Sequence, residues 1–181
     1  MCLGKALSGM LPISAALTRP EIMDVFVPGE MTSTFTGNPL SCAAALANID
    51  IFEKENLVEK AAALESVMMP AAKELVDKYD FVGRATGKGA IIGLGVTKPG
   101  SKEGDKPLAY DINQKLYEKG VMVFAPVGRG CIKIAPPFVM PEGAVKEGFE
   151  VIDDAMDIIS QNMVHPHYCV KNVRKNNTIL R

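Results

Sequence analysis

Hydrophobic residues recur at helical spacing over several stretches of the chain. The clearest stretch begins at Asn38, a good N-cap, with Pro39 at the first helical position and small apolar residues following to Ile51. The same spacing predicts further helices over residues 20–26, 56–79, 110–119 and 141–160. Pro70 falls inside the second of these four, so we expect a kink or an interruption there.

Shorter apolar runs between the helices predict strands. Residues 11–17 follow a Gly-rich turn and suit a buried strand of an α/β sheet. Residues 82–96 read as a turn that leads into a β-rich run, and strands at residues 121–124 and 131–134 are joined by a turn at residues 126–130. No run approaches the ~18 to 20 apolar residues that a membrane-spanning helix needs. The pattern predicts an α/β protein whose second structural unit begins near residue 80.

Composition and charge narrow the class of protein and its partners. The chain has 181 residues, of which 48% are hydrophobic and 23% charged, as in ordinary soluble globular proteins. A net charge of -1 gives no overall field that would attract nucleic acid or an anionic membrane. The four cysteines have no paired spacing, which favours reduced thiols and a cytoplasmic location. Residues 1–17 crudely mimic a secretory signal, but Gly, Pro and Ser interrupt their apolar run.

Two motifs resemble functional sites but favour simpler interpretations. Residues 87–93 approach a dinucleotide-binding fingerprint, yet they carry one residue too many and precede a strand, so they predict a turn. His165, His167 and Cys169 offer metal-type ligands but form a lone cluster in a polar tail, and no metal site is predicted. The chain has no other histidine, which excludes Ser/His and Cys/His nucleophile systems from its main body.

Lys5 is the candidate nucleophile. It lies in a Gly/Ala/Ser-rich turn, GKALSG at residues 4–9, beside an apolar run where desolvation would lower the pKa of its amine. Residues 32–34, a Thr-Ser-Thr cluster, come shortly before the N-terminus of the helix at Asn38 and supply hydroxyl and N–H groups suited to a phosphate. The alternative interpretation is an ordinary solvated surface lysine.

These residues also carry a family resemblance. The segments GKALSG and LPISA at residues 4–15, with STFTGNPLSCAAA at residues 33–45, resemble the class III (omega) aminotransferases, pyridoxal-phosphate enzymes of fold type I. Shorter motifs at residues 84–89, 119–121 and 134–137 follow in the family's order, so the resemblance covers residues 1 to about 160. It implies a partial large-domain piece at residues 1–56, a linking helix at 57–80, an α+β C-terminal small domain at 81–160 and a polar tail at 161–181.

The resemblance also implies roles for individual residues. Lys5 would form the Schiff base with pyridoxal 5'-phosphate and later move the proton at the substrate Cα. Thr34, with the neighbouring Ser33 backbone, would contact the cofactor phosphate across a dimer interface. Lys133 would face the substrate at a position where many members have an Arg that clamps a carboxylate, and Arg129 is an alternative anion contact.

The implied reaction transfers an amino group from an amino acid or an ω-amino donor to a 2-oxo acid. Family members are much longer, and the part that precedes the lysine supplies the pyridinium partner and most of the phosphate cradle. We therefore expect a homodimer or a complement to an N-terminal half, with exposed apolar surface on residues 1–56. Epimerase, decarboxylase or aminomutase chemistry on the same cofactor is one alternative, and a catalytically inactive assembly subunit is another.

Overall fold

The computed structural model describes residues 1–164 and divides the chain into two compact units, Met1–Glu59 and a second that starts at Lys60. In the first unit a two-stranded antiparallel ribbon pairs Cys2 with Ala16 and Leu3 with Ala15. Its elements, in chain order, are strand β1 (Cys2–Leu3), a 3-10 turn (Lys5–Ser8), strand β2 (Ala15–Ala16), helix α1 (Pro20–Met23) and helix α2 (Pro39–Lys54).

The second unit is a four-stranded antiparallel sheet with three helices. Its strands lie in the order β3, β4, β6, β5, and each neighbouring pair is antiparallel. The elements are helix α3 (Leu57–Lys78, which begins just before the unit), strands β3 (Val82–Lys88) and β4 (Ile91–Val96), helix α4 (Lys106–Glu118), strands β5 (Phe124–Val127) and β6 (Cys131–Ile134), and helix α5 (Glu142–Val164).

Helix α2 begins where its sequence predicts. The Asn38 side-chain oxygen accepts hydrogen bonds from the N–H groups of Leu40 at 3.0 Å and Ser41 at 3.3 Å, and Pro39 occupies the first helical position. Helix α4 also has an N-cap, but it lies earlier in the chain than predicted. Asp105 Oδ1 accepts a hydrogen bond from the Leu108 N–H at 3.0 Å. The helix therefore begins at Lys106 and not near residue 110.

The second unit contains a continuous hydrophobic core. Alternate residues of β4, namely Ile92, Leu94 and Val96, are buried at its centre. The three helices contribute residues at helical spacing, among them Met68, Ala72 and Leu75 from α3, Ile112 and Leu116 from α4, and Ile152, Ala155 and Met156 from α5. Helix α3, which was predicted to link two parts of the chain, thus packs against this core along most of its length.

Two details of the predicted elements are wrong, and a third is decided in part. Residues 11–17 do not form a buried strand, because only β2 is extended and its only partner in the described chain is the two-residue β1. The predicted turn after residue 82 is strand β3, and the chain reverses beyond it at Gly89, whose φ of 61° suits glycine. Of the kink or interruption predicted at Pro70, the interruption does not occur, because helix α3 is continuous from Leu57 to Lys78.

One further predicted strand agrees with the structure only in part. The strand predicted for residues 121–124 begins at Phe124 and runs to Val127, because its ladder with β6 starts at the Phe124 and Lys133 pair. Within residues 1–164, no helix combines the length and the hydrophobicity required to cross a bilayer. The predicted polar tail at residues 161–181 lies almost entirely outside the described residues.

Candidate active site

The turn that carries Lys5 has a strained backbone and an exposed side chain. Lys5 adopts a φ of 52°, in the left-handed region that non-glycine residues seldom occupy. Gly4 before it is extended, and the N–H of Gly9 closes the turn on the carbonyl of Ala6 at 3.1 Å. The desolvation predicted for Lys5 is absent, since the residue is exposed in this structure.

A side chain from helix α2 holds this turn. Asn48 Nδ2 donates to the Ala6 carbonyl at 2.8 Å and to the Leu7 carbonyl at 3.1 Å. Ser8 is 6% exposed, and its hydroxyl donates to the Leu11 carbonyl. Sequence reasoning missed Asn48, although a lone amide on an Ala-rich helix was a usable signal.

Within the hydroxyl cluster before α2, Ser33 is bonded to Thr36, which follows the cluster. The Ser33 N–H donates to Thr36 Oγ1 at 3.0 Å, and the two hydroxyl oxygens are 2.7 Å apart. Since Asn38 already caps the first N–H groups of α2, the predicted anion site at that helix end has few free donors. Thr34, in the turn between them, is exposed.

The two predicted substrate contacts lie on one hairpin of the second unit. Lys133 is on β6, and its Nζ stands 4.1 Å from the centre of the ring of Phe124, its pairing partner on β5. Arg129 is exposed in the turn between these strands. Lys5, Ser33 and Thr34 belong to the first unit, so each unit carries its own group of predicted residues.

Two of the shifted pKa values belong to a cluster away from the predicted residues. The Tyr79 hydroxyl lies 2.8 Å from Asp153 Oδ1 and 2.9 Å from the Asp153 carbonyl, and Lys78 Nζ is 2.7 Å from the same carboxylate. Burial, with the hydrogen bond to Asp153, raises the pKa of Tyr79 to about 12. The hydrogen bond to Asp153 likewise raises the pKa of Lys78. These contacts join α3 to α5, which assigns the cluster a structural role.

No group of three or more His, Cys, Asp or Glu side chains that could hold a metal ion occurs within residues 1–164. The cluster of His165, His167 and Cys169 lies outside the described residues. Cys2, Cys42 and Cys131 carry free thiols.

Comparison with known proteins identifies the chain's relatives. The model of the family "Aminotransferase class-III" matches residues 1–156. A probable 4-aminobutyrate aminotransferase of Bacillus subtilis is 31% identical over 151 residues, which cover 82% of this chain and 35% of that protein. The ornithine aminotransferase of Oceanobacillus iheyensis is 35% identical over 155 residues, covering 85% of this chain and 36% of that protein.

Solved structures give the same result. The acetylornithine aminotransferase of Elizabethkingia anophelis superposes with a TM-score of 0.74 at 34% identity, covering 87% of this chain and 40% of that one. The Plasmodium falciparum ornithine δ-aminotransferase gives a TM-score of 0.77 at 29% identity, covering 89% and 39%. The likeness confirms the predicted fold class, a partial α/β transferase of fold type I. The chain spans 35% to 40% of the length of these four relatives.

Proposed function

The chain belongs to the class III aminotransferase family, and we propose that it serves in pyridoxal-phosphate-dependent transamination. The amino group would pass from an amino acid or an ω-amino donor to a 2-oxo acid. The observation that carries the proposal is Lys5, a primary amine exposed on a turn whose strained backbone is held by α2. Two relatives are named for 4-aminobutyrate and ornithine, which both bear an amino group at a chain end and so favour an ω-amino donor.

The residues of the first unit fit part of the cofactor. The exposed Lys5 amine suits an aldehyde, and the exposed Thr34 hydroxyl suits a phosphate oxygen. Ser33 fits less well, because its N–H is already bonded to Thr36 Oγ1 and would have to exchange that partner. Pyridoxal 5'-phosphate, when bound, supplies an aldehyde for the amino group and a ring that accepts electrons from the substrate.

Lys5 has two tasks in this proposal. Its Nζ would hold the cofactor aldehyde covalently, and with the substrate in place the same nitrogen would accept the proton that leaves the substrate Cα. The strained turn keeps the Lys5 Cα in one place during both tasks, so that the long side chain starts from a fixed point.

Lys133 and Arg129 are proposed to receive the substrate carboxylate. Lys133 presents a single ammonium, which Phe124 supports from one side, and offers no planar fork for a bidentate pair. Arg129 has such a fork but sits in an exposed turn. We therefore propose Lys133 as the main contact and Arg129 as an alternative one.

The same proposal covers domains, partners and location. We assign residues 1–56 to the cofactor-binding large domain, residues 57–80 to the linking helix and residues 81–160 to the C-terminal small domain. Large apolar side chains of the first unit are exposed, including Phe35 at 78% and Leu46 at 66%. They favour association, either as a homodimer or with a polypeptide equivalent to the remaining length of the relatives. The free thiols suit a cytoplasmic location.

Covalent trapping tests the role of Lys5. The chain is incubated with pyridoxal 5'-phosphate at rising concentration, reduced with borohydride and mapped by mass spectrometry. We expect saturable labelling at Lys5, lost in Lys5→Ala, and a higher half-saturating concentration in Thr34→Ala. Lys54→Ala, which removes another exposed lysine of the first unit, is the matched control and should leave the label in place. Equal labelling of Lys5 and Lys54 would contradict the proposal.

Product analysis separates transamination from its relatives. The chain is assayed with ω-amino donors and 2-oxo acids, alone and together with a polypeptide equivalent to the remaining length of a relative. A new amino acid formed from the oxo acid supports transamination. Racemised, decarboxylated or isomerised donor would instead assign another reaction of the same cofactor, and no turnover in either mixture would favour a non-catalytic assembly subunit.

A further inference from the structure

We propose that Asn48 is a positioning residue for Lys5: its amide holds the Lys5 turn in the left-handed conformation from which the amine reaches the cofactor. The inference rests on the proposed function, because it takes Lys5 as the residue that binds pyridoxal 5'-phosphate. Its physical basis lies wholly in the first unit, where Asn48 donates to two successive carbonyls that follow Lys5.

The first step is the backbone of Lys5. A φ of 52° brings the Cβ of an L-residue close to its own carbonyl oxygen, so a free turn would relax to negative φ. Such a conformation persists at a functional residue only when its surroundings hold it. Lys5 therefore needs contacts from outside the turn.

The second step is the supply of those contacts. Asn48 Nδ2 carries two hydrogens, and the Ala6 and Leu7 carbonyls lie 2.8 Å and 3.1 Å away, so one amide satisfies both. The Ala6 carbonyl also accepts the N–H of Gly9 from within the turn. Asn48 thus joins the local hydrogen bonding of the turn to a helix more than forty residues along the chain.

The third step is the geometry of helix α2. Ser41 and Ala45, the buried residues of α2, lie seven and three positions before Asn48 and so share its face of the helix. Small side chains along this face let the helix backbone come close to the turn, and α2 contacts the turn in the structure. At that separation the short Asn side chain reaches two carbonyls, whereas an apolar residue would leave both without a side-chain donor.

Two readouts on the intact chain test the inference. In the cofactor-free chain, a strong intraresidue HN–Hα NOE at Lys5 reports its positive φ. In the loaded chain, borohydride trapping gives the ratio of label at Lys5 to label at Lys54. We expect Asn48→Asp, which keeps the size and removes both donors, to weaken the NOE to the intensity typical of a residue with negative φ and to lower the ratio at least fivefold. Asn48→Gln, which restores the amide, should recover part of both.

The controls separate positioning from folding and from the proposed function. Asn113→Asp, an equivalent change on α4, should alter neither readout. If Asn48→Asp does not fold, Asn48→Ala, with its high helix propensity, is measured in its place. An unchanged NOE and ratio in the Asn48 variants would overturn the inference while leaving the function intact. An NOE that depends on Asn48, with no label at Lys5 in the wild-type chain, would support positioning and contradict the function.

Discussion

The two units of the chain differ most in how they are stabilised. In residues 1–59, all of which the structure describes, Ala45 and Leu57 are the only buried hydrophobic residues. The described part of the second unit places 21 buried hydrophobic residues in one core. Yet it is the first unit that carries Lys5, the residue proposed to bind the cofactor.

This difference shows that strong local signals for a helix do not by themselves produce a stable fold. Helix α2 has its cap, its proline and its helical spacing, but apolar side chains such as Leu40, at 68% exposure, face outwards. Propensity and capping contribute about 1 kcal/mol each, whereas burial of a core supplies most of the free energy of folding. We therefore expect the first unit to depend on association more than the second does.

The largest expected effect comes from separating the units at the turn before α3. A fragment of residues 57–164 should keep cooperative urea unfolding, because it retains the whole core. A fragment of residues 1–56 should show only weak, non-cooperative helix, since it has almost nothing buried. Circular dichroism against urea measures both. A sigmoidal transition of the isolated 1–56 fragment would contradict the predicted difference in stability between the two units.

A matched pair of leucines tests the difference in burial between the two units. Leu116 on α4 is fully buried and Leu46 on α2 is 66% exposed. We expect Leu116→Ala to lower the free energy of unfolding by about 2 to 5 kcal/mol, through lost burial and a cavity. Leu46→Ala should change it by no more than about 0.5 kcal/mol. Equal losses in urea titrations of the full chain would mean that α2 packs against a core in solution.

The link between α3 and α5 predicts a smaller effect with a pH signature. Tyr79→Phe removes the hydroxyl that bonds Asp153 and should lower the free energy of unfolding by about 1 to 2 kcal/mol. The folded chain keeps Tyr79 protonated up to a pKa of about 12, whereas the unfolded chain loses that proton near pH 10. Between these two pH values the unfolded state binds fewer protons than the folded state. The contribution of Tyr79 to the free energy of unfolding is therefore present below pH 10 and is lost as pH rises towards 12.

The variant and a control isolate this contribution. Tyr79→Phe should make the fall in stability between pH 10 and 12 shallower, measured by urea unfolding at stepped pH. Part of the fall remains because Asp153 also raises the pKa of Lys78. Tyr117→Phe, at a residue that is 71% exposed on α4, should leave both the stability and its pH dependence unchanged. A fall as steep in Tyr79→Phe as in the wild-type chain would assign it to a group other than Tyr79.

The sequence was sufficient where structure depends on neighbouring residues. Asn38 and Pro39 located the start of α2 because capping involves groups within three residues of each other. The motifs around Lys5 identified the family through resemblance, which the match over residues 1–156 confirms. The assignments of Lys5, Ser33, Thr34, Lys133 and Arg129 stay predictions.

What the sequence could not supply depends on distant partners. Residues 11–17 have the apolar pattern of a buried strand, but that pattern does not say which strands will pair with this segment. The bonds of Asn48 to the Lys5 turn join residues more than forty positions apart, and those of Tyr79 to Asp153 join residues 74 apart. Burial of Lys5 was predicted from small neighbours in sequence, although burial is set by what packs on them in space.

The smallest predicted effect concerns the Lys133 and Phe124 pair. With Nζ 4.1 Å from the ring centre, a double-mutant cycle using Lys133→Met and Phe124→Leu should give a coupling of about 0.5 to 1 kcal/mol in urea unfolding. Lys106 lies 5.8 Å from the Tyr110 ring, and the cycle of Lys106→Met and Tyr110→Leu should give less. Equal couplings would show that Phe124 does not orient the ammonium, and the proposed carboxylate contact would then lose its support from the ring.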